Sequence, residues 1–365
     1  MNVLVIGGGV MGQSIALRLA KEGASVTVLE RSTPGAEASS AAAGMLAPQL
    51  EAHTPGPFLD LCLQSRALYE AFVDEVKELS GLDVGYLRCG VLKVAFTEAD
   101  AQRLHAVVGW QKSIGLRAEL IDGTDARTFE PTLSPHVLCA AHFPDDHQVD
   151  NRLLLRALWV AATRAGASFR YGNVRALVVE GERAVGVDLD GEVLPADAVV
   201  LTAGAWSGLV LGARLDPRVV RPSRGQMVQL QPRPPWPGRI VCGPQGYLVP
   251  RADGRLLAGS TVELVGYQKH VTVEGLSRIL ANALELCPSL SSAPVQEVWA
   301  GLRPDTEDHL PILGEGPVRQ LFLSTGHYRN GILLAPVSAQ LVSELLLGRP
   351  PSVDLRPFRH DRFTA

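Results

Sequence analysis

The first thirty residues constrain this chain more than any other stretch. Val3 to Ile6 is a short apolar run that predicts a strand, and the turn Gly7-Gly8-Gly9-Val10-Met11-Gly12 follows it directly. Ile15, Ala16, Leu19 and Ala20 then recur at helical spacing, with Gly23 where a helix stop is expected. Val26 to Leu29 predicts a second strand, closed by Glu30, which stands eighteen residues after Gly12. This spacing is that of a βαβ dinucleotide unit. Gly7 allows the tight turn, Gly9 lets backbone approach a pyrophosphate, and Gly12 permits close helix–strand packing. Val10 and Met11 open the helix whose free N–H groups and partial positive charge suit phosphate. Glu30, followed by Arg31, stands where the adenosine ribose is held.

Composition excludes several classes. With 34 basic and 38 acidic residues the formal charge is −4, which argues against nucleic acid as a partner. The five cysteines are scattered and form no C-x-x-C pair, so neither a disulfide framework nor a zinc site is expected. No basic segment precedes Val3, and no apolar run approaches the ~20 residues that span a bilayer. The expectation is a cytoplasmic protein with no membrane partner and no metal. No Ser/His/Asp, paired-carboxylate or metal-ligand set stands out, so any hard chemistry falls to a cofactor.

The 365 residues favour two or three domains. Helices are predicted over 59–79, 98–116 and 153–164, and short strands over 90–96, 168–171, 174–179, 184–189 and 198–201. From Gly225 the texture changes to short strands over 227–230, 239–242, 247–250 and 256–259, with Asp253-Gly254 as a hairpin signal. α/β patterning returns at 321–347. The body is therefore expected to be discontinuous, using 1–85, 141–218 and 299–365, with 86–140 and 219–298 forming a second, β-rich domain.

A dinucleotide unit alone leaves NAD and FAD open. Two further segments favour FAD. Ala196 to Trp206 has the form of a strand ending beside a cofactor, with Ala203, Gly204 and Trp206 at the contact. Ser39-Ser40-Ala41-Ala42-Ala43-Gly44-Met45 is a run of tiny side chains suited to backbone approach to a flat ring.

The C-terminal third carries a resemblance. Gly301-Leu302-Arg303-Pro304-Asp305-Thr306-Glu307-Asp308-His309-Leu310-Pro311-Ile312-Leu313-Gly314 is similar to the substrate-arginine motif of the D-amino-acid oxidase superfamily. Gly326 to Pro336 resembles the flavin-contacting end of its glycine oxidase family, the thiamine-pathway type. Ser40 to Leu46, Asp145-Asp146 before Asn151, and Gly246 to Arg251 fit the same family in order.

The resemblance implies an α/β and α+β two-domain flavoprotein: a Rossmann-like FAD-binding domain with an interleaved antiparallel β-rich substrate domain. It implies noncovalent FAD, held by the dinucleotide residues above together with Ala38, Ser39, Ser40, Ala43, Gly44, Met45, Val174, His327, Tyr328, Asn330, Gly331, Ile332 and Leu333. Arg303 is implied as the carboxylate anchor, Tyr247 as its second hydrogen-bond donor, and Arg329 as either a substrate contact or an organiser of its loop. A bidentate, planar cation is what a carboxylate in an apolar pocket needs.

The implied reaction is oxidative deamination by hydride transfer from the substrate α-carbon to flavin N5. Glyoxylate (or another oxo acid), ammonia or amine, and hydrogen peroxide are its products, and thiamine thiazole biosynthesis is the associated pathway. The implied partners are a small amino acid or amine and dioxygen, with a homo-oligomer as the family's form. Val262 stands where relatives commonly have methionine, and Gln245 where a histidine occurs, so sarcosine and small D-amino acids stay open beside glycine. The helix after Gly331 is expected to tolerate Pro336 only in its first turn, with its positive end toward the flavin. A same-fold amine dehydrogenase, a nicotinamide-linked dehydrogenase and a non-catalytic flavin-binding protein remain as alternatives.

Overall fold

The strand Asn2–Ile6 lies in the middle of a six-stranded sheet, where alternate side chains enter different cores. Val3 and Val5 face one side, Leu4 and Ile6 the other. A computed structural model of the chain describes residues 1–52 and 54–363. The sheet runs in the order Ile312–Glu315, Leu321–Thr325, Ala198–Leu201, Asn2–Ile6, Ser25–Glu30, Ser168–Tyr171. Only the outermost pair, Ile312–Glu315 with Leu321–Thr325, is antiparallel. Ala198–Leu201 is buried on both faces, as a parallel central strand must be.

On the Val3 side pack the helices Val10–Lys21, Pro57–Ser80, Asn151–Arg164 and Gly331–Leu346. On the Leu4 side lies a three-stranded antiparallel sheet, Val174–Glu180, Arg183–Leu189 and Glu192–Pro195. This is a doubly covered nucleotide-binding body.

An eight-stranded sheet stands beside it, in the order Val295–Asp305, Arg221–Leu230, Leu256–Gly259, Tyr247–Pro250, Ile240–Cys242, Val91–Ala95, Cys139–Phe143, Glu119–Asp122. All its pairings are antiparallel except Ile240–Cys242 with Val91–Ala95. The Asp253-Gly254 hairpin joins two of these strands, with Gly254 at φ 85°. The chain leaves this sheet at Phe143 and Asp305, a few residues beyond the changeovers expected at 140 and 298. Residue 53 and residues 364–365 of the expected body lie outside the described residues.

Several elements differ from expectation, among them the strands Glu119–Asp122 and Cys139–Phe143, which the sequence does not announce. The helix Val273–Leu286 was not predicted, although Thr272 caps it by accepting the Gly275 N–H, and Leu276, Ile279, Leu280, Ala283 and Leu286 form its apolar stripe. Gly123–Phe129 is a further short helix, capped by Asp122. Pro336 does not sit in the first turn: it lies inside the helix Gly331–Leu346. A proline there removes one N–H and pushes on the carbonyl a turn earlier. Here the freed Ile332 carbonyl and its neighbour are taken by another helix. Tyr69 donates its hydroxyl to the Ile332 carbonyl (3.1 Å), and Ser65 donates to that of Leu333 (2.6 Å).

Candidate active site

The C-terminal ends of the central strands and the concave side of the eight-stranded sheet enclose one cavity of about 650 Å³. The dinucleotide turn forms one end. Gly7 has φ 107°, and a Cβ there would stand 2.7 Å from the Thr202 carbonyl oxygen. Gly12 does not line the cavity: a Cβ at this position would run into the Gly7 carbonyl, so its role is helix–strand contact. Gly9, Val10 and Met11 do line it, and the Val10 N–H donates to Ser39 Oγ (3.0 Å). Glu30 is held facing the cavity by the N–H groups of Gly8 (2.8 Å) and Ser32 (2.9 Å). Beside it, the Arg31 guanidinium lies 4.0 Å from the Trp206 ring centre. Val174, Ala203 and Gly204 complete this wall.

The run of tiny side chains forms the floor. Ala38, Ser39, Ala43, Gly44 and Met45 line the cavity, and a Cβ on Gly44 would strike the Val149 carbonyl. Ser40 is turned away, so its expected contact is replaced by a structural one. Its carbonyl accepts from Asn151 (3.0 Å) and its hydroxyl donates to the Glu37 carbonyl (3.2 Å). Arg251 braces the floor from behind, donating to the Ala43 carbonyl (2.9 Å) and Asn151 Oδ1 (3.1 Å). Burial pushes this guanidinium down to about 10, with Asp150 acting against the shift. The sequence placed Asn151 and Arg251 in a family-like stretch without giving them this task.

The loop from His327 to Asn330 and the helix that follows close the far side. His327, Tyr328, Asn330, Gly331 and Ile332 line the cavity, so the positive end of the helix Gly331–Leu346 faces it. Leu333 does not: its side chain is in the core, because the helix has turned it away by that point. His327 is buried, its Nε2 is 3.2 Å from Ser338 Oγ, and burial pushes its pKa down to about 3. It is a neutral wall residue.

At the other end stands Arg303. Its strand is held against the floor by the Trp299 indole N–H, which donates to the Ala41 carbonyl (3.0 Å). The guanidinium lies over Gly225, where any Cβ would collide with it, and donates to Ser260 Oγ (2.7 Å) and the Thr261 carbonyl (3.1 Å). No carboxylate lies within ion-pairing distance of it among the described residues. Burial holds its pKa below the ordinary arginine value. Tyr247 shares the cavity, its hydroxyl 3.4 Å from Met227 Sδ, a weak partner that leaves it able to donate elsewhere. Arg329 also lines the cavity, but it is paired with Glu51 (2.9 Å), and Glu51 holds its pKa up.

The structure thus gathers Arg303, Tyr247 and Arg329 with the dinucleotide residues, and adds Glu51, Ser260, Gly225 and Met227, which the sequence did not single out. A carboxylate directly before an unassigned stretch carried no motif; only its position across from Arg329 reveals it. Val262 is half-exposed and Gln245 is exposed, both outside the cavity, so the departures noted at these positions do not shape the pocket. Cys242 and Cys287 are buried outside it as well. Among the described residues no cluster could hold a metal ion, and no helix is long and apolar enough to cross a membrane.

The cradle fits FAD on its own terms. It offers a glycine turn at a helix N-terminus for a pyrophosphate, an oriented carboxylate for a ribose, a floor of minimal side chains, and a second helix N-terminus opposite. Fold and cavity are those of a dinucleotide-dependent oxidoreductase, with an arginine that has no carboxylate in ion-pairing range beside the dinucleotide turn. Residues 2–345 match the family described as DAO, FAD dependent oxidoreductase, and the chain belongs to it. FAD is its cofactor.

The chain is 40% identical over 370 residues to the bifunctional protein ThiO/ThiG of Synechocystis sp., a match covering 99% of this chain and 54% of that protein. It is 38% identical to the glycine oxidase of Geobacillus kaustophilus, covering 98% of this chain and 96% of that one. The chain therefore spans about half the length of the bifunctional relatives and nearly all of the shorter one. The crystal structure of the Geobacillus kaustophilus glycine oxidase superposes with a TM-score of 0.95, covering 99% of this chain and 98% of that one. That of an iminodiacetate oxidase from Chelativorans sp. does so at 0.87 with 28% identity, each chain being 98% covered.

Proposed function

We propose that this enzyme oxidises glycine, or a comparably small amino acid or amine such as sarcosine or a small D-amino acid, to an imine that hydrolyses to glyoxylate (or the matching oxo acid) and ammonia or amine. The observation that carries the reading is Arg303, a partly buried guanidinium without a carboxylate in ion-pairing range, in the cavity that holds the dinucleotide turn. Such a cation is costly to bury and gains most from a carboxylate that arrives with the substrate. The likeness to proteins named glycine oxidase supports the same substrate class.

Bound FAD would supply the two-electron acceptor for the hydride leaving the substrate carbon, with dioxygen and two protons as the source of hydrogen peroxide on its reoxidation. The chain's own residues bind, orient and exclude. Arg303 takes the carboxylate, with Ser260 and the Thr261 carbonyl fixing the guanidinium plane. Tyr247 donates the second hydrogen bond. His327, kept neutral by burial, supplies a wall and no proton. The tiny-residue floor lets backbone approach the ring face, and the helix at Gly331 favours negative charge forming beside it.

The two sheets mark the division of labour, the six-stranded one with its helices for the cofactor and the eight-stranded one for the substrate. Noncovalent attachment, a cytoplasmic location, association of identical chains and a place in thiamine thiazole biosynthesis belong to the same reading. An absorption spectrum of the purified protein before and after anaerobic glycine, sarcosine and D-alanine tests it. Bleaching of the flavin bands by at least one of them is expected. A flavin that none of the three bleaches overturns the reading, and flavin remaining with acid-precipitated protein overturns noncovalent attachment.

A further inference from the structure

The substrate end of the cavity holds two arginines and one acid, and their pairing is unequal. Arg329 is bound to Glu51 at 2.9 Å, whereas Arg303 meets only neutral acceptors. Counting Arg303, Arg329 and Glu51, the net charge facing a ligand is a single positive charge. A monocarboxylate neutralises it. A ligand with a second carboxylate has only Arg329 left to meet, and must displace Glu51 or lie against it.

The backbone that carries Glu51 is fixed. It ends the short helical turn Pro48–Glu51, whose Gln49 and Leu50 N–H groups donate to the buried Asp146 carboxylate (3.4 and 2.9 Å). Arg66 pairs with that same carboxylate at 2.9 Å and donates to Gln49 Oε1 at 2.8 Å. The Gln111 amide reaches across to the Gln49 carbonyl at 2.8 Å. Side chains from two other helices and a loop therefore fix the turn and hold Glu51 in the cavity wall.

We infer that Glu51 is a specificity-determining residue: by occupying Arg329 it makes the pocket selective for monocarboxylate ligands and excludes amino diacids and other dicarboxylates. Removing its charge exposes a second guanidinium at the same wall and opens the site to a second carboxylate. The inference rests on the amino-acid oxidase reading for its biological meaning, but its test is carried by binding.

Acetate and malonate are titrated into the FAD-loaded enzyme and its E51Q variant, with dissociation constants taken from the flavin absorbance change and from calorimetry. In E51Q the affinity for malonate relative to acetate rises on the order of tenfold, ~1.4 kcal/mol. In the double variant E51Q/R329Q that gain disappears. An unchanged malonate-to-acetate ratio in E51Q, or a gain that persists in the double variant, overturns the inference. E51A removes the charge by another route and must show the same change if E51Q does not retain flavin. Failure of glycine to bleach the wild-type flavin, with the E51Q ratio still shifted, counts against the glycine reading and leaves this one standing.

Discussion

Single side chains in this cavity differ by whether burial is compensated. Arg251 and Arg303 are both held below the ordinary arginine value by desolvation, yet Arg251 is buried with Asp150 at 3.6 Å, whereas Arg303 is only partly buried and has Glu51 acting from beyond ion-pairing distance. The first braces the floor, and the second lines the cavity. Tyr247 adds a donor whose present partner is a sulfur, so Tyr247→Phe is expected to raise KM for the amino acid roughly 10- to 100-fold, one hydrogen bond to a charged carboxylate. Steady-state kinetics checks it, and an unchanged KM removes the hydroxyl from the substrate.

His327 yields a pH prediction of known sign. Folded, it resists protonation down to about pH 3, while the unfolded chain takes up its proton near the ordinary 6.5. Between these values the unfolded state binds more protons, so stability falls as pH drops through that window. His327→Gln is expected to flatten the slope by up to one proton, ~1.4 kcal/mol per pH unit, in urea unfolding at pH 4 to 6 with FAD in excess. An equally steep slope in the variant contradicts the buried neutral histidine.

At the scale of elements, the helix Gly331–Leu346 brings its N-terminus to the cofactor cavity despite an internal proline. The break at Pro336 is repaired by Tyr69 and Ser65 from the helix Pro57–Ser80, which is fully apolar-packed at Tyr69. Tyr69→Phe leaves the Ile332 carbonyl buried without a donor and is expected to cost about 1–3 kcal/mol of stability by urea unfolding. A loss below about 0.5 kcal/mol would show that the carbonyl finds another donor.

This repair is also where sequence reasoning stopped short. Local proline rules place Pro336 in the first turn, because the Tyr69 hydroxyl that caps the Ile332 carbonyl from 263 residues away is invisible to periodicity. The helix Val273–Leu286 is a different case, since its cap at Thr272 and its stripe from Leu276 to Leu286 stand in the sequence. The βαβ unit was legible because its glycines serve backbone geometry, which is local. Glu51 was not, since its meaning depends on Arg329 across the cavity.

For the whole molecule, the cavity is lined by residues of both sheets, and the strand bearing Arg303 is tied to the floor by the Trp299 indole N–H. Three hydrophobic clusters meet there around a space of about 650 Å³, so the bound dinucleotide contributes to the stability of the assembly. Free FAD at 1,000 times its dissociation constant stabilises by about 4 kcal/mol relative to the stripped protein. Removal of FAD is therefore expected to lower Tm and re-addition to restore it; a Tm indifferent to FAD contradicts a cofactor seated in this cavity.

The central claim is that Arg303 anchors the carboxylate of a substrate oxidised beside it. The most direct measurement is anaerobic stopped-flow reduction of the wild-type and Arg303→Leu enzymes over a range of glycine concentrations. Loss of a buried charge partner costs ~2–5 kcal/mol, so the apparent dissociation constant for glycine rises at least about 30-fold, with a smaller change in the limiting rate. A dissociation constant that stays at the wild-type value contradicts the account.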